Sequence, residues 1–296
     1  MGTLDGRIAI ITGAGQGLGR QHALRFAAEG AQVVVNDLGT DGVSAAAELV
    51  VAEIVAAGGQ AVANADSVAD WRGAARMIDQ AVDAFGDLHI VVNNAGIVRD
   101  RMIVTMSEQE WDAVVAVHLK GHFNMIRHAG AYWRARSKAG DEADRSVINT
   151  TSTSGLFGNA GQANYGAAKS AVASLGQMAA AEMSRYGVRC NSIAPSGRTQ
   201  MTLDVPGVAE KIAPPADGSF DFWDPANVSP FVAYLATADC PFSGETFHVG
   251  GGQVTRLRSW SAAEVIRRDS MWTVDDLRIE GPKLAGSGGE RPAIPI

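Results

Sequence analysis

ITGAGQGLGR, residues 11–20, closes one apolar run and opens an alanine-rich stretch. The run, RIAIIT (7–12), is short and β-branched, and Leu18–Gly30 has helical spacing. Gly13, Gly17 and Gly19 stand in G-x-x-x-G-x-G order between them, with Gln16 and Leu18 in the same turn. Glycine permits a sharp strand-to-helix turn and lets main-chain N–H groups approach a phosphate closely. The helix then turns the positive end of its dipole toward that phosphate. Taken alone, such a turn also fits a plain tight loop. Asp37 favours the nucleotide reading. It ends the next apolar run, QVVVND (32–37), near the ~20-residue distance at which a carboxylate reaches the adenosine ribose hydroxyls. Its charge would repel a 2′-phosphate, so the expected cofactor is NAD rather than NADP. An Asp that merely starts a turn before Gly39 is the alternative.

Further short apolar runs follow at QAVANAD (60–66), LHIVVNN (88–94), SVINTTS (146–152), VRCNSIAP (188–195) and ETFHVGG (245–251). Stretches with helical spacing separate them: Val43–Gly58, Asp70–Phe85, Ser107–Arg136 and Gln162–Tyr186. This alternation predicts an α/β fold, a Rossmann-type doubly wound parallel sheet of about seven strands with helices on both faces. Continuous runs such as VVV and IVV suit strands buried on both sides. Residues 1–252 are expected to form the dinucleotide-binding catalytic domain, and 253–296 a C-terminal extension. In that extension 261–279 reads as a helix plus an irregular segment, and the Gly- and Pro-rich 281–296 as a tail.

The chain has 296 residues, 46% hydrophobic and 19% charged, with a formal net charge of −7. That balance disfavours nucleic acid as a partner. Cys190 and Cys240 make neither a disulfide framework nor a metal-binding pattern, so a reducing, cytoplasmic location is expected. No apolar run reaches the ~18 residues of a membrane span, and Asp5 and Arg7 interrupt any signal-peptide pattern at the start.

In NYGAAK (164–169) Tyr165 and Lys169 stand one helical turn apart and share a helix face. A free tyrosine, with a pKa of about 10, is a poor base at neutral pH. An ammonium beside it favours the phenolate and moves it toward the working range. Tyr165 could then take the proton of an alcohol, or return it to a forming alkoxide. Ser152, at the end of the fifth run, would hold the substrate oxygen as a second hydrogen-bond donor. A surface Tyr–Lys pair without chemistry is the alternative.

With the glycine loop, Asp37, Asn93-Asn94-Ala95-Gly96 and Ser152…Tyr165-x-x-x-Lys169 in this order, residues 5–252 resemble the short-chain dehydrogenase/reductase family. The resemblance implies that Lys169 also binds the nicotinamide ribose. It further implies that Asp66 and Ser67 contact adenine and Asn93 lies along the adenosine ribose. Ala95, Gly96, Pro195 and Thr199 complete the implied cofactor contacts. The pattern departs at Pro195-Ser196-Gly197, where Ser196 separates Pro from Gly, and at His118, where most members carry an Asn that supports a water linking the lysine to solvent. Imidazole donates and accepts, so His118 can keep that path. His118 and His122 share metal-ligand spacing, but no third ligand stands near them in the sequence, and no metal is expected.

VNDLG (35–39), VVNNAGIVRDR (91–101), VHLKGHF (117–123) and TSTSGLFGNAGQANYGAAK (151–169) look like one branch of the family. It contains the hydroxyacyl-CoA dehydrogenase domain of multifunctional β-oxidation enzyme type 2, also called a 17β-hydroxysteroid dehydrogenase, and stand-alone bacterial relatives. This implies oxidation of a 3-hydroxyacyl-CoA or steroid-like alcohol to the ketone, in a homodimer or homotetramer. Residues 201–224 read as a substrate lid, with Phe220, Phe222 and Trp223 either lining a pocket or anchoring the loop. Arg99, Arg101 and Arg198 are candidates for the phosphates of coenzyme A. An NADPH-dependent ketone reductase and a non-catalytic nucleotide-binding regulator are the competing readings. Asp37 speaks against the first, and the complete Ser152–Tyr165–Lys169 set against the second.

Overall fold

The computed structural model of the chain describes residues 2–203, 207–258 and 260–285. Met1–Arg256 and Leu257–Ile296 form two compact units. In the first, strands and helices alternate in chain order: β1 (Ile8–Thr12), α1 (Gly17–Ala28), β2 (Gln32–Asn36), α2 (Ala45–Ala56), β3 (Gln60–Asn64), α3 (Trp71–Phe85), β4 (Ile90–Asn93), α4 (Glu108–Val115) and α5 (Gly121–Lys138). Then come β5 (Arg145–Thr150), α6 (Thr153–Phe157), α7 (Ala163–Met183), β6 (Val188–Ser196), α8 (Gln200–Leu203), α9 (Ser229–Leu235), β7 (Thr246–Gly250) and β8 (Gln253–Leu257).

The sheet runs in the order β3-β2-β1-β4-β5-β6-β7-β8, and β1 to β7 pair in parallel. The expectation of about seven strands is short by one. The added strand, β8, follows β7 after only Gly251 and Gly252. A connection that short returns antiparallel, with Gly251 at φ +55° making the turn.

Period-2 alternation sends successive strand residues to opposite faces. Ala9, Ile11, Val33 and Val35 meet Phe26, Val50, Ile54 and Val232 on one side. Ile8, Ile10, Val34 and Val147 meet Met77, Met125, Trp133 and Met183 on the other. Local chemistry sets the helix ends. The Asp70 carboxylate accepts from the Arg72 and Gly73 N–H groups at the start of α3, and Gly86, at φ +92°, stops it. Ser107 and Glu110 form a capping box at the start of α4.

The strands stop on a polar level. Thr12 pairs with Asn36 and Asn36 with Asn64. On the other half Asn93 pairs with Asn149, Asn149 with Ser192 and Ser192 with Thr246. Asn36 Nδ2 donates to Asn64 Oδ1 at 2.7 Å and to the Asp66 carbonyl at 2.9 Å. Asn93 Nδ2 donates to Asn149 Oδ1 at 2.9 Å. Loops that leave this level carry the site.

One expected feature takes a different form. The single helix expected over Ser107–Arg136 is interrupted by a π-helical turn at Ala116–Lys120, which contains His118. In the second unit α10 (Val274–Glu280) and a 3₁₀ turn (Gly281–Ala285) are the regular elements among the described residues and 261–273 is irregular, so the stretch read as a helix plus an irregular segment holds both. Residues 286–296 of the expected tail, and 204–206 of the expected lid, lie outside the described residues. No helix among the described residues is long and apolar enough to cross a membrane.

Replacing Asn36 by Ala leaves the partly buried Asp66 carbonyl short of a donor and removes one donor from the buried Asn64 Oδ1. Unfolding in urea should show a loss of about 1–3 kcal/mol with the m-value unchanged. A loss below about 0.5 kcal/mol would mean that the polar level is not under strict pairing.

Candidate active site

The glycine loop is held from three sides. Gly13 and Gly17 adopt φ +63° and +54°. A Cβ on Gly13 would lie 2.7 Å from Ala95 Cα, and one on Gly19 would lie 2.1 Å from the Gly13 carbonyl oxygen. Asn94 Nδ2 donates to the carbonyls of Thr12 and Gly13, both at 3.0 Å. Thr12 Oγ1 accepts from the N–H groups of Asn94 and Ala95. Gln16 stands at the N-cap of α1 without a side-chain cap bond, so that helix end presents main-chain donors to an anion. Thr199 brings its methyl within 3.5 Å of where a Gly17 Cβ would be, and Leu18 packs toward Gly197. Asp37 follows β2 and accepts from Gly15 N–H at 2.7 Å. Its second oxygen has no partner among the described residues. A glycine cradle under an uncapped helix, with a half-committed carboxylate beside it, fits a dinucleotide.

Asp66 and Ser67 lie just beyond β3, where a cavity of about 630 Å³ is lined by Gly42, Asn64, Asp66, Ser67 and Arg76 among others. The Asp66 carboxylate is already paired with Arg76 and accepts from Asn64. The Asn93 side chain is turned into the sheet toward Asn149 and is 1% exposed. Only its main chain is left for a ribose. Pro195 stands one residue before the end of β6, and the hydroxyl of Ser196, which closes it, bonds His248 Nε2 at 3.0 Å.

The residues expected to do chemistry gather where β5 ends. Ser152 caps α6 by accepting from Ser154 N–H, and its hydroxyl acts on the Tyr165 phenol in favour of the ionised form. Tyr165 lies in the first turn of α7, its ring partly exposed and its oxygen enclosed. Lys169, one turn on, is 2% exposed. Its Nζ donates to the Thr150 carbonyl at 2.6 Å and stands 5.6 Å from the centre of the Tyr165 ring. Burial pushes Lys169 down to about 7. Burial also pushes the Tyr165 phenol up, the Ser152 hydrogen bond pulls it down, and Asp100 raises it further. The net direction is opposite to the lowering expected from Lys169, because desolvation disfavours the phenolate.

His118 faces this group. Its ring meets the Tyr165 ring edge-on at 5.1 Å. Its Nε2 lies 2.7 Å from the Ile97 carbonyl oxygen and 3.1 Å from the Ile97 main-chain nitrogen, so both polar groups of one residue meet the same ring nitrogen. Burial and the Lys169 charge hold the ring well below its ordinary value, so it is neutral. Gly96 lies against it: a Cβ there would be 2.3 Å from His118 Cε1.

Asn164 escaped the sequence reading. It is fully buried and donates to the Arg99 and Glu110 carbonyls, while its oxygen accepts from Tyr165 N–H at 2.7 Å. An amide directly before Tyr165, in a stretch otherwise rich in small residues, was the available signal. The lid aromatics anchor rather than line: Phe222 packs where a Gly251 Cβ would go and meets Trp223 at 5.2 Å, while Phe220 is exposed. Of the candidate phosphate ligands, Arg198 is paired with Asp221 and Arg101 with Glu110. Among the described residues no three His, Cys, Asp or Glu side chains cluster as a metal site would need.

Comparison with known proteins agrees with this geometry. Residues 7–206 match the family described as short chain dehydrogenase. A crystal structure of a short chain dehydrogenase from Mycobacterium avium superposes with a TM-score of 0.88 at 48% identity, covering 100% of this chain and 99% of that one. The hydroxyacyl-CoA dehydrogenase ChsB1 of Mycobacterium tuberculosis is 46% identical over 85% of this chain and 80% of its own. The peroxisomal multifunctional enzyme type 2 of Drosophila melanogaster is 43% identical over 90% of this chain but only 42% of its own length. Sequence, fold and site arrangement together make this chain an oxidoreductase of the short-chain dehydrogenase family.

Proposed function

We propose that the chain is an NAD-dependent dehydrogenase that oxidises the secondary alcohol of a 3-hydroxyacyl-CoA, or of a comparably bulky steroid-like molecule, to the ketone. The observation that carries the reading is the gathering of Ser152, Tyr165 and Lys169 at the end of β5, with the Ser152 hydroxyl acting on the Tyr165 phenol and the Lys169 amine one turn behind. NAD, when bound, supplies the acceptor for the hydride that leaves the carbinol carbon. The rest falls to the protein. Tyr165 takes the hydroxyl proton as general base. Ser152 donates to the same substrate oxygen and steadies its charge. Lys169, in its charged form, favours the phenolate from the ring face and reaches for the nicotinamide ribose.

Several observations support the finer points. Asp37, with one oxygen unpaired beside the glycine loop, suits ribose hydroxyls and opposes a 2′-phosphate. The identity to a named hydroxyacyl-CoA dehydrogenase along most of both chains supports the substrate class. Arg99 bonds only the Val98 carbonyl and has no carboxylate partner among the described residues, which leaves it available to a phosphate of coenzyme A. Exposed Trp111, Phe123 and Met178 on α4, α5 and α7 are consistent with a homodimer or homotetramer built on these helices.

The direct test crosses NAD and NADP with 3-hydroxyacyl-CoAs of several lengths, steroid alcohols and simple secondary alcohols, read at the nicotinamide absorbance. Tyr165→Phe should lower turnover at least ~10²-fold while NADH affinity stays near wild type; wild-type turnover in that variant would refute the role of the phenol. Asp37→Ala should cut the NAD-over-NADP preference in kcat/KM by about tenfold or more, the loss of one charge-assisted hydrogen bond. An unchanged ratio removes Asp37 from cofactor selection.

A further inference from the structure

Asn164 stands directly before Tyr165, as the second residue of α7, and is fully buried. A helix leaves its first N–H groups without partners inside the helix, and the residue before it commonly supplies a side-chain acceptor. Gln162, the residue in that place, makes no cap bond. Its side chain is spent elsewhere, accepting from Asn159 Nδ2 at 3.0 Å and donating to Asp100 Oδ2 at 2.8 Å. Asn164 supplies the acceptor instead: its Oδ1 takes the Tyr165 N–H at 2.7 Å. The turn that carries the phenol is therefore closed by the side chain beside it.

The other end of the same amide holds the loop after β4. Asn164 Nδ2 donates to the Arg99 carbonyl at 3.0 Å and to the Glu110 carbonyl of α4 at 3.1 Å. A carboxamide has two N–H donors, and these two carbonyls take both. Two outer ties join the same segments: Arg101 N–H donates to the Gly161 carbonyl at 2.8 Å, and Gln162 reaches Asp100 as above. In this lacing of 99–101 to 161–165 Asn164 is the buried member, while Arg99, Asp100 and Arg101 are exposed. The Arg99 guanidinium engages only the Val98 carbonyl, 2.7 Å away, among the described residues. An apolar side chain could fill the space of Asn164, but a buried amide satisfied at both ends also specifies where its partners lie.

We propose that Asn164 is a positioning residue: its one amide holds the turn bearing Tyr165 and the loop bearing Arg99 at a fixed separation, so that a substrate gripped at a distant phosphate by Arg99 has its carbinol carbon set against the phenol. The proposal rests on the dehydrogenase reading, with a coenzyme A ester as substrate, for its kinetic consequence; the bonding depends on neither. Preference for coenzyme A esters over shorter alcohols then comes from a rigid span and not from Arg99 alone. Loss of the amide loosens both ends: the phenol for every alcohol, and Arg99 for those that carry phosphates.

Hydrogen exchange, followed by mass spectrometry well below the melting temperature, reads the bonding without substrate. The Arg101, Tyr165 and Gly166 amides are each hydrogen-bonded in these segments. In Asn164→Ala, peptides covering 98–102 and 161–166 should exchange at least about tenfold faster together, while β4 and β5 keep wild-type rates. Faster exchange in one segment alone, or in neither, overturns the proposal. The kinetic arm places Asn164→Ala in two backgrounds, wild type and Arg99→Ala. It compares a 3-hydroxyacyl-CoA with the matching N-acetylcysteamine thioester, which keeps the acyl group and lacks the phosphates. On both substrates kcat should fall at least about tenfold, since a misplacement of about 1 Å can cost about 10²-fold. KM for the coenzyme A ester should rise about tenfold with Arg99 present and less than about twofold without it, because effects that act through one contact do not add. An unchanged kcat, or the same rise in KM in both backgrounds, overturns the proposal. Should Asn164→Ala not fold, Asn164→Thr, which keeps the volume but offers one hydroxyl to three partners, takes its place in both arms. A wild-type chain inactive on both substrates sinks the dehydrogenase reading, and the exchange arm then decides for or against Asn164.

Discussion

A buried amide or hydroxyl left without a partner costs about 1–3 kcal/mol, and that constraint fixes where the strands of this sheet end. Asn36, Asn64, Asn93 and Asn149 are each 8% exposed or less and stand where β2, β3, β4 and β5 stop. They satisfy one another across neighbouring strands and satisfy the main chain of the loops that follow. Thr12 and Asn94 do the same for the glycine loop. A loop tied by such bonds keeps its first residues in register with the sheet. Asp37, Asp66, Gly96 and Ser152 are all within a few residues of that level. The parallel sheet supplies a common edge, and the polar pairs turn the edge into a surface with fixed donors and acceptors.

Burial works against the chemistry as well as for it. Lys169 and Tyr165 both lose water, and each is pushed toward its neutral form: the amine down to about 7, the phenol up. In the cofactor-free chain the proton therefore belongs to the phenol, and the amine is only partly charged at neutral pH. Of the groups acting on Tyr165, the Ser152 hydroxyl is the one that favours its phenolate. The serine thus serves the tyrosine before it serves a substrate. Lys169 lies over the ring face, held by the Thr150 carbonyl, a position from which its charge reaches the phenol only as far as that charge is maintained.

Much of this was legible in the sequence, for identifiable reasons. Continuous β-branched runs alternating with helical spacing dictate a parallel sheet, because only such a sheet buries both faces. Gly13, Gly17 and Gly19 declare the loop because no other residue suits its φ angles and close approaches. Tyr165 and Lys169 declare themselves by spacing. Asn93 shows the limit of motif reading: the motif does not tell that strand alternation turns its side chain into the sheet toward Asn149. Arg198 is similar, since nothing local foretells that Asp221, far along the chain, holds it. β8 was missed because a strand that is largely exposed, with QVTRL for a sequence, carries no apolar run.

His118 shows how far a departure from pattern propagates. An imidazole is larger than an amide, and two local features lie around it. The helix carrying it widens into a π-turn at Ala116–Lys120, a form that is rare inside helices and often met at functional sites. On the opposite side Gly96 clears the space a Cβ would occupy, 2.3 Å from the ring. Gly96 does not adopt a positive φ, so glycine is required there for room and not for backbone conformation. With both in place, Nε2 reaches the Ile97 carbonyl and the ring edge meets Tyr165. The glycine of the NNAG turn, the widened helix and the imidazole therefore act as one device, and a substitution at any of the three shifts the ring that borders the catalytic phenol.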